Sequence, residues 1–134
     1  MIEVVTDYLG AVQFECSARG HRIQCDQPVE NGGFDEGMTP PEFFLAGVGA
    51  CIGYYAAQYL SARKLSTYGL RVRTTAEKAS APARLGEIYI TLEYPSALSE
   101  THREGILRAA GNCLIKNTLL HPPKIEMKLV VTAV

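Results

Sequence analysis

Apolar and polar positions alternate in short runs on either side of one long uncharged stretch. Residues 2–8 (IEVVTDY) predict a strand, with a turn at Leu9-Gly10. Val12, Phe14 and Cys16 then alternate with Gln13, Glu15 and Ser17, and beyond Arg19-Gly20 the run 21–26 alternates again. Pairing these runs about Arg19-Gly20 puts Val12, Phe14, Cys16, Ile23 and Cys25 on one face of a hairpin and Gln13, Glu15, Arg22, Gln24 and Asp26 on the other. In that register Cys16 and Cys25 are diagonal neighbours, a geometry that bridges as a disulfide only with distortion. Their expected role is packing. The segment 28–37 (PVENGGFDEG) is a loop whose Asn-Gly-Gly accepts positive φ.

The uncharged stretch lies within 38–64, MTPPEFFLAGVGACIGYYAAQYLSARK. Thr39 can cap a helix, Pro40 suits its first position, and Glu42 can close a capping box on Thr39. From Phe43 to Leu60 the only strongly polar side chain is Gln58. A helix apolar on all sides is expected to be buried, and Cys51 with it. After Gly69 a strand places Leu70, Val72, Thr74 and Ala76 opposite Arg71, Arg73, Thr75 and Glu77. A polar loop at 78–84 leads to a strand over 85–94 with Ile88, Ile90 and Leu92 inward. Ser99 caps a second helix reaching about Leu114, with Ile106, Leu107, Ala110, Cys113 and Leu114 as its stripe. His121-Pro122-Pro123 breaks the chain, and 124–134 predict a last strand with Ile125, Met127, Leu129 and Val131 inward.

The order βββ-α-ββ-α-β, with strands and helices in blocks, predicts an α+β fold with antiparallel sheets around two long helices. At 134 residues one domain, 1–134, is expected. A helix apolar all round needs more cover than this chain supplies, so two copies are expected to share it in a homodimer. A net charge of −1 with scattered basic residues gives no reason to expect nucleic acid as a partner. The start MIEVVTDYLG lacks the basic and apolar regions of a signal peptide. The central stretch is at the lower edge of membrane-spanning length and carries Gln58 and three tyrosines, so no membrane is expected. The cytoplasm is the expected location, with reduced thiols.

Four cysteines at 16, 25, 51 and 113 form no CxxC, and His21, His102 and His121 form no ligand motif, so no zinc site is expected. His121 has no triad partner to make a cysteine hydrolase. Gly47-Val48-Gly49 and Asn31-Gly32-Gly33 lack the following lysine of a phosphate loop.

The segment TPPEFFLAGVGACIGYYAAQYLSARK, followed about sixty residues on by AAGNCLIKNTL, resembles the OsmC/Ohr family, named for osmotically inducible protein C and organic hydroperoxide resistance. The shared pattern is a Pro-Glu helix start, a small-residue run into Gly-Ala-Cys, and a second Cys late in the next long helix. The short GHRIQCDQP…GG…TPPE entry to the helix is closer to the OsmC-like branch. The resemblance implies an intertwined homodimer and a thiol peroxidase without cofactor. Cys51 would attack a hydroperoxide, hydrogen peroxide included, with the apolar residues around it favouring bulky organic hydroperoxides. Cys113 would resolve the sulfenic acid as a disulfide, and a cellular dithiol would reduce it.

Such chemistry needs a thiolate, which burial disfavours. Cys51 also lies too deep in its helix for the N-terminal dipole to help. In the peroxidases of the family an arginine near the first β-turn, held by the glutamate at the helix start, does this work. Glu42 matches the glutamate. No arginine precedes Arg19, leaving Arg19, Arg22 or Arg84, with Arg19 first. Nine residues separate Glu42 from Cys51, about 13 Å along a straight helix and on opposite faces, so Glu42 is expected to serve the partner's cysteine. Cys113, placed near a helix C-terminus, suits a resolving thiol. The alternative is a non-catalytic dimer of the same fold that binds a small apolar or thiol-reactive ligand.

Overall fold

Alternation builds the first sheet. In a computed structural model, which describes residues 1–133, β1 (Val5–Gly10), β2 (Gln13–Ala18) and β3 (His21–Cys25) pair antiparallel in that order. Phe14 stands opposite Cys25 and Cys16 opposite Ile23, so the two cysteines are the diagonal neighbours expected. Arg19 (φ 51°) and Gly20 (φ 85°) are both left-handed, which suits the right-handed twist of a tight hairpin. β1 begins and ends later than the pattern predicted, and its turn centres on Ala11 (φ 47°).

The loop after β3 is organised by a residue placed wrongly from sequence. Asp26, expected on the polar face, is 1% exposed. Alternation holds only while the chain is a strand, and β3 ends at Cys25. The Asp26 carboxylate accepts Gln13 Nε2–H (3.0 Å) and the backbone N–H groups of Gln27 (2.7 Å), Phe34 (3.1 Å) and Glu36 (3.0 Å). Burial pushes this carboxyl up, but the four donors outweigh it and hold it at about 2. A Cβ on Gly33 would strike the Gln27 carbonyl and lie 2.6 Å from Asp26 Oδ1. Only glycine lets the loop close this tightly on the carboxylate.

α1 (Pro40–Ala62) starts as predicted. Thr39 N–H and Oγ1–H donate to Glu42 Oε1, both at 2.9 Å, and Glu42 N–H donates back to Thr39 Oγ1 at 3.4 Å. The helix ends in a Schellman turn: Leu65 N–H reaches Leu60 O (2.9 Å) and Lys64 N–H reaches Ser61 O (3.1 Å), with Lys64 at φ 57°. Within this single chain, burial on every side is not reached. Val48, Ile52, Ala56 and Leu60, spaced by four, are buried, whereas Phe44 (40%) and Tyr54 (59%) are exposed. One chain has enough apolar surface to cover one stripe of this helix. By length and composition α1 would also suit a membrane, with mean hydropathy 1.3.

β4 (Arg71–Ala79) and β5 (Arg84–Glu93) form a two-stranded sheet. Val72, Thr74 and Ala76 are half-buried and their neighbours exposed, as the pattern required. α2 (Glu100–Ala110) is capped by Ser99, whose side chain accepts His102 N–H at 3.2 Å. It stops short of the predicted Leu114, and a separate α3 (Leu114–Leu120) follows. Of the predicted stripe, Ile106, Ala110 and Cys113 are buried, but Leu107 and Leu114 are each 62% exposed. The predicted last strand is not formed: residues 122–133 have no regular secondary structure, and Ile125, Met127, Leu129 and Val131 are exposed. Alternation gives a segment strand character, but a strand also needs an edge to pair with. Val134 lies outside the described residues.

Contacts group the chain into two compact units that alternate along the sequence, 1–49 with 73–91 and 50–72 with 92–133. The second holds the main cluster, where Ala56, Leu60 and Ile106 pack with Tyr59, Leu65, Leu70, Leu92, Tyr94 and Leu98. Full burial of a side chain such as Leu60 contributes about 2 kcal/mol. Tyr59 also meets the His102 ring, with its hydroxyl 3.1 Å from Nδ1.

Candidate functional site

The site is built where α2 gives way to α3. Gly111, Asn112 and Cys113 close the end of α2 through N–H bonds to Leu107 O (3.0 Å), Ala109 O (3.1 Å) and Ala110 O (3.2 Å). Cys113 then leaves helical geometry (φ −58°, ψ 127°) and caps α3, its Sγ accepting Lys116 N–H at 3.5 Å. Lys116 reaches back with Nζ to Gly111 O at 3.3 Å, holding the two helix ends together. Cys113 is fully buried. Its expected position near a helix C-terminus is thus corrected to an N-cap. The Gly111-Asn112 pair, a breaker signal, was overridden in the sequence reading by a stripe that kept helical spacing.

Cys51, half-buried on α1 beside Ile52, belongs to the same unit as Cys113. Both are free thiols. The Cys113 thiol and the backbone N–H groups of Ile115 and Leu114 act on the Cys51 sulfur. Burial pushes the Cys51 thiol up, but these three donors outweigh it and the net shift is downward. Cys113 moves the opposite way. Burial raises it first, the Cys51 sulfur raises it further, and the N–H groups of Lys116 and Ile115 offset only part. The two thiols are therefore shifted in opposite directions, the thiolate being eased at Cys51 and disfavoured at Cys113. The donors required to stabilise the thiolate come from the start of α3, a source the sequence reading did not consider.

The remaining predicted residues lie in the other unit. Glu42 is engaged by Thr39, whose backbone and hydroxyl donors lower its carboxyl. Arg19 stands at the β2–β3 turn. Arg22 faces Glu15 at 4.0 Å, and the Arg84 guanidinium donates to Ser80 O and Pro82 O, each at 2.9 Å. Cys16 and Cys25 interact with one another, Cys25 being raised by burial and then by Cys16, while Thr6 Oγ1–H reaches Cys16 Sγ at 3.6 Å. Among the described residues no three His, Cys, Asp or Glu side chains gather as a metal site.

The model of the OsmC-like protein family matches residues 33–128, taking in both Cys51 and Cys113. No curated protein matches the chain. Among solved structures, an OsmC-like protein from Mycoplasma pneumoniae superposes with TM-score 0.78 at 22% identity, over 91% of this chain and 89% of the other. An organic hydroperoxide resistance protein from Elizabethkingia anophelis gives 0.67 at 19% identity, over 88% and 86%. An organic hydroperoxide resistance protein OsmC from Legionella pneumophila gives 0.62 at 17%, over 87% and 88%. At these identities the likeness is one of fold, mixed α+β with antiparallel sheets. With the match covering most of its length and both cysteines inside it, this chain belongs to the OsmC-like family.

Proposed function

We propose that this protein is a two-cysteine thiol peroxidase acting on organic hydroperoxides in the reducing cytoplasm. The observation that carries the reading is the pairing of two free thiols in one unit, Cys51 on α1 and the buried Cys113 that caps α3, with Cys113 and the α3 N–H groups drawing the Cys51 thiol down. The Cys51 thiolate attacks the outer oxygen of R–O–O–H. An S–O bond forms, the O–O bond breaks, and the alkoxide leaves and takes up a proton as the alcohol. Cys113, which has kept its proton through this step, then attacks the Cys51 sulfur and displaces water, leaving a Cys51–Cys113 disulfide. An external dithiol returns the pair to thiols by exchange. Two of the structural neighbours are named for organic hydroperoxide resistance, which agrees with this substrate class. Activation of Cys51 by α3 does not wait on Arg19 or on Glu42 from a partner.

The working form is a homodimer. Phe44 and Tyr54 on α1, and Ile125, Met127, Leu129 and Val131 in the irregular segment 122–133, are exposed apolar residues. A second copy supplies the cover they lack.

The test is consumption of cumene hydroperoxide with a dithiol reductant by wild type and Cys51→Ser, with mass mapping of cysteines after one equivalent of oxidant. Turnover by wild type, its loss in the variant, and a Cys51–Cys113 disulfide within one chain are expected. If both thiols stay reduced while a control peroxidase reacts, the peroxidase reading is wrong and a ligand-binding dimer takes its place.

A further inference from the structure

The two sulfurs of the site are also the cap of a helix. Every α-helix starts with N–H groups that have no partner within it. In α3 the first three residues, Leu114, Ile115 and Lys116, direct these groups at sulfur: Leu114 and Ile115 at Cys51, and Lys116 at Cys113 (3.5 Å). Little else holds this helix. It has seven residues, none of them buried, and Leu114, Leu119 and Leu120 are exposed. A helix this short is unstable without tertiary support. The remaining bonds at its N-terminal end are Asn117 N–H to Cys113 O (3.0 Å), Thr118 Oγ1–H to Leu114 O (2.9 Å) and Lys116 Nζ–H to Gly111 O (3.3 Å).

We infer that the redox state of the Cys51–Cys113 pair controls the order of α3, with the dithiol capping the helix and the disulfide releasing it. Bond formation brings the two sulfurs to about 2.05 Å, so at least one must leave the position in which it receives α3. Oxidation also removes the negative charge that draws the Leu114 and Ile115 N–H groups, because a disulfide sulfur is neutral and a weak acceptor. Cys113 has a further conflict. It is both the cap residue and a bonding partner, and an Sγ drawn into the bond with Cys51 moves off the position in which it receives Lys116 N–H. Releasing α3 uncovers Cys113, the buried member of the pair, to an incoming reductant. Resolution of the sulfenic acid therefore prepares the disulfide for its own reduction.

This inference takes its physiological oxidant from the proposed peroxidase activity, but its test does not. Diamide accepts two electrons and two protons from the thiol pair, becoming its hydrazine as the S–S bond forms, whether or not the protein reduces peroxides. Amide hydrogen exchange is followed by mass spectrometry on the full chain, reduced and diamide-treated, with the Cys51–Cys113 bond confirmed by peptide mapping. Exchange across 114–121 is expected to quicken about fivefold or more on oxidation, as loss of a helix cap of ordinary strength implies. Peptides of the β2–β3 hairpin should not change, and Cys113→Ser, whose hydroxyl retains a cap but cannot bridge, should show no response at 114–121. Unchanged exchange across 114–121 in the verified disulfide form overturns the inference. So does failure of diamide to join the two cysteines. Peroxidase failure with diamide-dependent release would instead leave the switch standing and remove only the proposed oxidant.

Discussion

Replacing Cys113 by alanine separates its effect on Cys51 from its later role as the resolving thiol. The Cys113 thiol is the strongest of the donors that lower Cys51 against its burial. A hydrogen bond to a charged acceptor contributes about 1.5–3 kcal/mol, and the partial exposure of Cys51 favours the lower end. About 1.5 kcal/mol corresponds to roughly tenfold less thiolate at a pH below the Cys51 transition. Cys113→Ala also removes the cap from Lys116 N–H, which loosens the Ile115 and Leu114 donors and acts in the same direction. The assay is the rate of iodoacetamide alkylation at Cys51, measured by peptide mass spectrometry from pH 5 to 10. Cys113→Ala should alkylate about tenfold more slowly than wild type near neutrality, with its profile moved to higher pH. Cys113→Ser, which keeps an O–H donor, should lie near wild type although it cannot form the disulfide. Coincident profiles for wild type and Cys113→Ala would refute the claim that the pair and α3 activate Cys51.

Three further outcomes concern the scaffold. Asp26 has a carboxyl depressed to about 2, below its unfolded value of 3.8, so the unfolded chain binds the extra proton. The stability this group contributes is complete above pH 4 and is lost as pH falls toward 2; Asp26→Asn should flatten that limb in denaturant titrations at pH 5, 4, 3 and 2, and an unchanged slope would count against the loop network. Thr39→Ala removes the capping box and should lower the free energy of unfolding by about 1 kcal/mol, read from the urea midpoint. Gly105→Ala places a Cβ into the ring of Tyr59 and should lower the melting temperature although alanine is the better helix former, whereas Ala109→Gly, at a half-buried site of the same helix, should cost only the propensity difference of about 1 kcal/mol.

What was legible in the sequence was local. Thr39, Pro40 and Glu42 specify a helix start through three adjacent groups, and the start formed as read. The Phe14–Cys25 register followed from alternation about a two-residue turn. Cys51 and Cys113 stood out through their place in a family motif, since spacing alone fits packing as well. What was not legible depended on partners distant in the chain. The helical spacing of Ile106, Ala110 and Cys113 continues into Leu114, and only the extended ψ of Cys113 separates α2 from α3. The donors at Cys51 were missed for that reason: a search for a cation examines charged side chains, and these donors are backbone groups exposed by the helix break. Asp26 was missed because its four donors come from residues on both sides of a loop.

The way the two units share the chain also bears on how it emerges during synthesis. The boundary at Gly49 and Ala50 falls inside α1, and the boundaries at 72–73 and 91–92 fall inside β4 and β5. When translation reaches residue 72, the first unit still lacks its second segment, 73–91, and the second unit lacks 92–133, so neither is complete. The three-stranded sheet already has all its pairing partners by then. Closing the first unit must wait until 73–91 has been made, so the segment 50–72 becomes a loop whose closure is an entropic cost borne before the unit's contacts form. The same interleaving means that no cut in this chain yields a clean half. Severing it at Gly49 breaks a helix, and severing it at either later boundary breaks a strand.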